Sequence, residues 1–259
     1  MEDLHDGQLG VRLPEARTGN FATRMARSRD ARESSTITTS GNTPEMRAQD
    51  LHNLLEQLDA RHPVLIGWSQ GVQDLAAYIE RYGTHDLAGL VLVDAAVADG
   101  ANGIAARPQE TAAQFKILAG YQAHQEEYLR GMMRAIISKP QPDGTIDRLV
   151  ATGMKTPPTV GTAMLVADLF GVNRTAALKK IDCPTLIVAS ARSDELARQQ
   201  AGASQISHAR FEKIEDAAPS SSISQSALTN CSRIRERPDD GFGGFNAVDC
   251  EPGKHQLHL

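Results

Sequence analysis

Apolar positions in the middle of the chain follow two alternating periods. Met46, Leu51, Leu54, Leu55 and Leu58 recur at helical spacing behind Thr43 and Pro44, an N-cap residue and a first-turn proline. They predict a helix that ends near Arg61-His62-Pro63. Val64 to Trp68, "VLIGW", is then a continuous apolar run of the kind found in buried parallel strands. A second helix follows from about Gln70 to Tyr82, stopped by Gly83, and "LAGLVLVD" reads as the next strand. Helix, strand, helix, strand is the rhythm of a parallel sheet with crossover helices, so the pattern predicts an α/β fold.

Residues 95 to 182 change character. Long helical patterns, "ETAAQFKILAGYQAHQEEYLRGMMRAIIS" and "TVGTAMLVADLF", are separated by "KPQPDG" and "KTPP", which predicts a helical insertion or lid. Phe115, Tyr121, Met132, Met133, Met164 and Phe170 fall on its apolar stripes, where core packing is the ordinary explanation. Sheet rhythm then returns with "CPTLIVAS" as a strand, "DELARQQAGA" as a helix and "ARFEKIED" as a last strand. The flanks carry no such agreement. Residues 1–43 have only "LGVRL" and "STITT" as short strand candidates in an otherwise loop-like or disordered segment, and after Ala218 turn formers dominate.

Composition narrows the classes. A chain of 259 residues, 41% hydrophobic, can bury a large core, and a net charge of -5 offers no global attraction to nucleic acid or to an anionic membrane. The arginines of residues 1–43 are balanced by as many acidic residues, which reads as a solvated segment rather than a nucleic-acid arm. Cys183, Cys231 and Cys250 form no CxxC pair and leave one over, against a zinc site or a disulfide framework. With no signal-peptide pattern at the start and no apolar run long enough to span a bilayer, a reducing, cytoplasmic setting is expected.

Chemistry concentrates in Gly67-Trp68-Ser69-Gln70-Gly71, a G-x-S-x-G motif between a predicted strand and a predicted helix. Glycines on both sides let strand and helix approach without a Cβ clash, so the serine occupies a sharp, strained turn at the carboxyl end of the sheet. The Gln70 amide, at the helix start, is then placed to stabilise an oxyanion. By these residues, together with "LAGLVLVDAA", "KIDCPTLIVASARSDEL" and "ARFEKIEDA", the chain from about Pro44 to Ala218 resembles the α/β-hydrolase family, in particular its small esterases and cofactor-free haloperoxidase-like members.

The resemblance implies a serine activated by a histidine, itself oriented by a carboxylate, with a covalent acyl intermediate and no cofactor or metal. Ser69 is the implied nucleophile. The family's acid follows the penultimate strand in a Gly-x-x-Asp turn. Here Ser190-Ala191-Arg192-Ser193-Asp194 puts the aspartate one residue late, and Asp194 serves either as the acid or as the N-cap of the following helix. Asp94, after "LVLV", matches the alternative acid position.

The family's histidine follows the last strand, where this chain has Pro219. His62, His85 and His124 read as surface residues at helix ends or in the insertion, His208 precedes the last strand, and His255 and His258 lie in the tail. "SSSISQSALTNC" can be back-translated so that the neighbouring frame resembles the family's sequence after that histidine, so residues from about 219 onward are expected to be a frameshifted tail. The front is reduced as well. Asp30-Ala31-Arg32 with Ser34 and Ser35 resembles a family turn without its glycines, and no loop supplies a second oxyanion donor.

Two functions follow as expectations. The first is a serine hydrolase of the esterase or lactonase type, of impaired activity, acting on a small-molecule ester; perhydrolysis would use the same residues. The second is a truncated, non-catalytic ligand-binding or non-functional protein. With the front strands missing, "VLIGW" becomes an exposed apolar sheet edge, which predicts self-association.

Overall fold

The structure is a computed structural model that describes residues 9–14, 21–26, 41–137 and 140–215. Two strands, β1 (Leu9–Pro14) and β2 (Phe21–Ala26), precede the first helix α1 (Pro44–Gln57). The core rhythm then runs β3 (Val64–Trp68), α2 (Gly71–Tyr82) and β4 (Gly89–Val93), as the apolar periods predict. Helices α3 (Gly100–Ala106), α4 (Pro108–Ala123), α5 (Gln125–Ile136), α6 (Thr145–Gly153) and α7 (Pro158–Val166) fill the stretch before β5 (Thr185–Ser190). A single wide turn of π-helix, Ala167–Gly171, and a 3₁₀ segment, Thr175–Lys180, complete that stretch. Helix α8 (Leu196–Ala203) and strand β6 (Ala209–Ile214) close the described chain.

The strands form one sheet in the order β2-β1-β3-β4-β5-β6. β3 through β6 are parallel, and β1 is antiparallel to both β2 and β3, with Leu9 opposite Gly67 and Arg12 opposite Val64. This corrects the expectation that β3 forms an exposed edge. Its backbone groups are taken up by β1, so self-association through that edge loses its physical basis; β2 and β6 are the outer strands. β1 falls on the "LGVRL" strand candidate, whereas β2 lies in a stretch read as loop. The "STITT" candidate, Pro219 and the tail expected to be frameshifted lie outside the described residues.

Alternation along the strands divides the core in two. Leu65, Leu90, Leu92 and Ile187 face α1 and α2, where Leu51, Leu75 and Ile79 meet them with almost no exposure. Each such side chain contributes about 1.5–3 kcal/mol by burial. Val91, Val93 and Val188 face the other way with Ile66 and Trp68. Helix α2 is buried from Gly71 to Ile79, which explains why its sequence has so little polar surface.

Within the helical pattern "ETAAQFKILAGYQAHQEEYLRGMMRAIIS" the chain breaks at His124, between α4 and α5. Tyr121, Leu129 and Val150 pack there, whereas Phe115 stacks on Phe170 and stays 46% exposed rather than entering a core. The two ends of the stretch are pinned side by side. Asp99 bridges to Asn173, Arg174 N donates to Ala98 O at 2.9 Å, and at Gly100 (φ +53°) a Cβ would lie 2.7 Å from Asn173 N.

Two buried arginines tie this stretch to α1 and α2. Arg47, 3% exposed, donates to Asp74 on α2 at 2.8 Å and to Asp168 in the π turn at 2.5 Å. Burial alone would lower its pKa, but the two carboxylates outweigh that and raise it, so the guanidinium stays charged. Arg174 likewise bonds Glu80 on α2 and Glu45 on α1.

Candidate active site

Ser69 stands between β3 and α2 at φ +52°, in the left-handed region that residues with a Cβ avoid. Its amide donates to Val93 O at 2.9 Å, which extends the β3–β4 ladder one residue past the strand and fixes the turn. The flanking glycine is obligatory for close packing. A Cβ on Gly67 would lie 2.6 Å from Gly71 O and 2.8 Å from Leu75 Cδ1, so the strand could not sit this near the helix.

Gln70 begins the helical conformation (φ -58°, ψ -27°), and its amide donates to no carbonyl among the described residues. That amide lies at the positive end of a buried helix, where it can receive a developing oxyanion. The Ser69 hydroxyl likewise has no hydrogen-bond partner among the described residues. The Trp68 indole N–H, just before it, is buried without one. Gly67, Ser69, Gln70 and Gly71 thus form a sharp strand-to-helix turn.

The two acid candidates sit differently. Asp94 follows β4 at φ +55°, next to the Val93 carbonyl that holds Ser69, and its carboxylate accepts the Ser190 amide at 3.2 Å from the end of β5. Asp194 is exposed in the turn after β5. It is not the helix cap either: Glu195 occupies that position without a side-chain cap bond, and Ser193 Oγ accepts the Glu195 amide at 3.2 Å. The structure therefore brings Asp94 beside the elbow and leaves Asp194 at the surface.

Sequence reasoning missed two positioning residues. Gln73, one turn along α2, clamps the loop after β4 through Nε2 to Ala96 O and from Ala98 N to Oε1, both at 2.8 Å. Glu195 holds the same loop by accepting the Ala96 amide at 2.7 Å. Gln73 carried a signal in hindsight, as a polar residue in a helix with no exposed face.

Among the described residues, no histidine hydrogen-bonds to Ser69. His62, His85 and His208 precede β3, β4 and β6, at the amino ends of parallel strands, and Ser69 lies at the carboxyl end of β3, a five-residue strand of roughly 16 Å. His52 stacks on Tyr82, and His124 is exposed between α4 and α5. His255 and His258 fall outside the described residues. Among those described, no three His, Cys, Asp or Glu side chains are grouped to hold a metal, and no helix is long and apolar enough to cross a membrane.

A strained serine elbow on a parallel sheet is matched by the sequence at large: a model of the alpha/beta hydrolase family fits residues 16–224. The chain belongs to the alpha/beta hydrolase family. Solved structures of other alpha/beta hydrolases share the fold. An esterase from Exiguobacterium antarcticum superposes with a TM-score of 0.64 at 15% identity, covering 82% of this chain and 78% of that one. A bromoperoxidase from Bacillus anthracis gives 0.65 at 18% identity, covering 81% and 77%. An N-acyl homoserine lactone degrading enzyme gives 0.61 at 18% identity, covering 82% and 81%. As an alpha/beta hydrolase, the chain carries its serine turn at the carboxyl end of β3, before α2.

Proposed function

We propose that the chain is a serine hydrolase of the esterase or lactonase type, acting on a small carboxylic ester through an acyl-Ser69 intermediate. The observation that carries this reading is the backbone of the elbow, with Ser69 at φ +52° and the Gln70 amide unspent beside it. Ser69 Oγ attacks the carbonyl carbon, the bond to the alkoxy oxygen breaks and the alcohol leaves with the serine's proton. Water then cleaves the acyl ester, which releases the acid and restores the hydroxyl. Hydrogen peroxide in place of water would give the peracid. The chemistry needs no cofactor.

Asp94 is the carboxylate we assign to the site, since it adjoins the elbow, and helices α3 to α7 act as the lid. The reading includes low turnover in a reducing, cytoplasmic setting. Loss of one oxyanion donor lowers rates by about 10²–10³, and a triad without its base keeps only about 10³–10⁴ over water. That no described histidine hydrogen-bonds to Ser69 supports a second reading, a non-catalytic ligand-binding protein.

Turnover of a short-chain p-nitrophenyl ester distinguishes the two. The hydrolase reading expects slow hydrolysis that falls to the buffer rate in Ser69→Ala, drops in Asp94→Asn and is retained in Asp194→Asn. Equal rates for the native protein and Ser69→Ala would establish the non-catalytic reading.

A further inference from the structure

Every large apolar side chain that is more than a third exposed among the described residues lies between Ile104 and Val172, in the helical stretch before β5. Five of them, Ile104, Phe115, Ile117, Val166 and Val172, sit on one contiguous body. α3 and α7 pack on the π turn, and α4 packs on both α3 and α7. Thr162 Oγ1 donates to Gln122 Oε1 at 3.0 Å across the α4–α7 contact, and Phe115 stacks on Phe170 with ring centres 4.7 Å apart.

These helices are poorly covered for their composition. Of sixteen residues α4 buries only Thr111, Leu118 and Tyr121, and of nine α7 buries only Val160. Helices with so few charges are ordinarily enclosed, and an exposed apolar patch marks a contact surface. From Thr111 to Ala123 the one charged residue is Lys116, and from Pro158 to Gly171 it is Asp168, which is buried on Arg47. At roughly 100° per residue, Lys116 lies opposite the buried side of α4 with Phe115 and Ile117 on its two flanks. Ala112, Ala119 and Ala123 share its side, so nothing bulky holds α4 away from a surface.

Charge says what covers this face. The net charge of -5 is unevenly spread: residues 95–182 hold ten Lys and Arg against eight Asp and Glu, and the rest of the chain holds 17 against 24. An anionic surface therefore attracts the helical stretch and repels the remainder, which turns this face toward it. A second copy would bring the same positive excess against itself. Lys116 pairs with no carboxylate among the described residues, and its stem can run along apolar surface while the ammonium meets a phosphate.

We infer that α4, α7 and the π turn dock in the plane of an anionic lipid bilayer, with Phe115, Ile117 and Val166 entering the headgroup layer and Lys116 meeting its phosphates. No described helix is long and apolar enough to cross, so the contact is peripheral. It does not depend on whether Ser69 reacts.

Flotation with vesicles of phosphatidylcholine and phosphatidylserine, roughly 7:3, against vesicles of phosphatidylcholine alone is the test. Native protein and Ser69→Ala are expected to float with the anionic vesicles, several-fold less with the neutral ones, and less as salt rises. Lys116→Glu should weaken binding by on the order of tenfold through charge, and Phe115→Ser combined with Ile117→Ser by about as much through lost apolar contact. All three side chains are exposed, and circular dichroism checks that the variants fold. Arg61→Glu, the same charge change at an exposed site before β3, should bind as native protein does. No flotation of folded native protein, or undiminished flotation of Lys116→Glu and of the paired serine variant, would overturn the inference. So would a dimer in sedimentation velocity that the paired serine variant abolishes, without vesicle binding, since the face would then serve a second copy.

Discussion

Arg47→Ala is expected to cost about 3–5 kcal/mol of folding stability, because it removes the guanidinium that two buried carboxylates share. Asp168 is 1% exposed and Asp74 6%, so water cannot replace the guanidinium they share. For a chain of this size that loss lowers the thermal midpoint by on the order of 10 °C. Replacing all three, as Arg47→Met, Asp74→Leu and Asp168→Leu, should recover much of it, since a buried ion cluster exchanged whole for apolar groups is often neutral. Urea unfolding of the single and triple variants provides the measurement. A shift of under about 1 kcal/mol for Arg47→Ala would mean that the cluster does not hold the helical stretch to α1 and α2.

The neighbouring cluster responds to acid. Burial pushes the Glu45 carboxyl up, but its own backbone amide, Thr43 and Arg174 outweigh this and hold it below its ordinary 4.5. A carboxylate with a depressed folded value contributes in full above its unfolded value and loses that contribution as pH falls through the folded one. The Arg174 contacts should therefore weaken only below about pH 4.5.

Gly67→Ala is the second large effect. Its Cβ meets backbone, Gly71 O at 2.6 Å, so no side-chain rotation relieves the clash and β3 must move from α2. The expected cost is at or beyond the upper end of about 1–3 kcal/mol for overpacking, with Ser69 displaced from the Gln70 amide. Gly202→Ala is the matched control, since its Cβ finds only an ordinary contact and a helical alanine is favoured. Denaturation midpoints that fall equally for both variants would contradict the close-approach role of Gly67.

The parts legible in the sequence are those set by local rules. Strand, elbow and helix from Val64 to Tyr82 follow from an apolar run, two glycines and a helical period, and the structure places them where those signals fall. β1 is a short strand candidate whose place in the sheet has no local signal. "LGVRL" lies in a polar, arginine-rich segment, and what makes it a strand is antiparallel pairing with β3, more than fifty residues away. Arg47, Asp74 and Asp168 carry no spacing signal, because their contact joins three elements distant in sequence. Asp194 fits an N-cap reading by its place before the helical period, but Glu195 holds that position and its amide donates to Ser193 Oγ, a detail that residue types alone do not give.

The central claim is that the elbow holds Ser69 as a reactive nucleophile. A fluorophosphonate added to folded protein, followed by intact-mass analysis and peptide mapping, tests it. The expected result is a slowly formed single adduct on Ser69 that is absent from Ser69→Ala. Folded native protein that acquires no adduct, or a Ser69→Ala variant that labels equally, would contradict it.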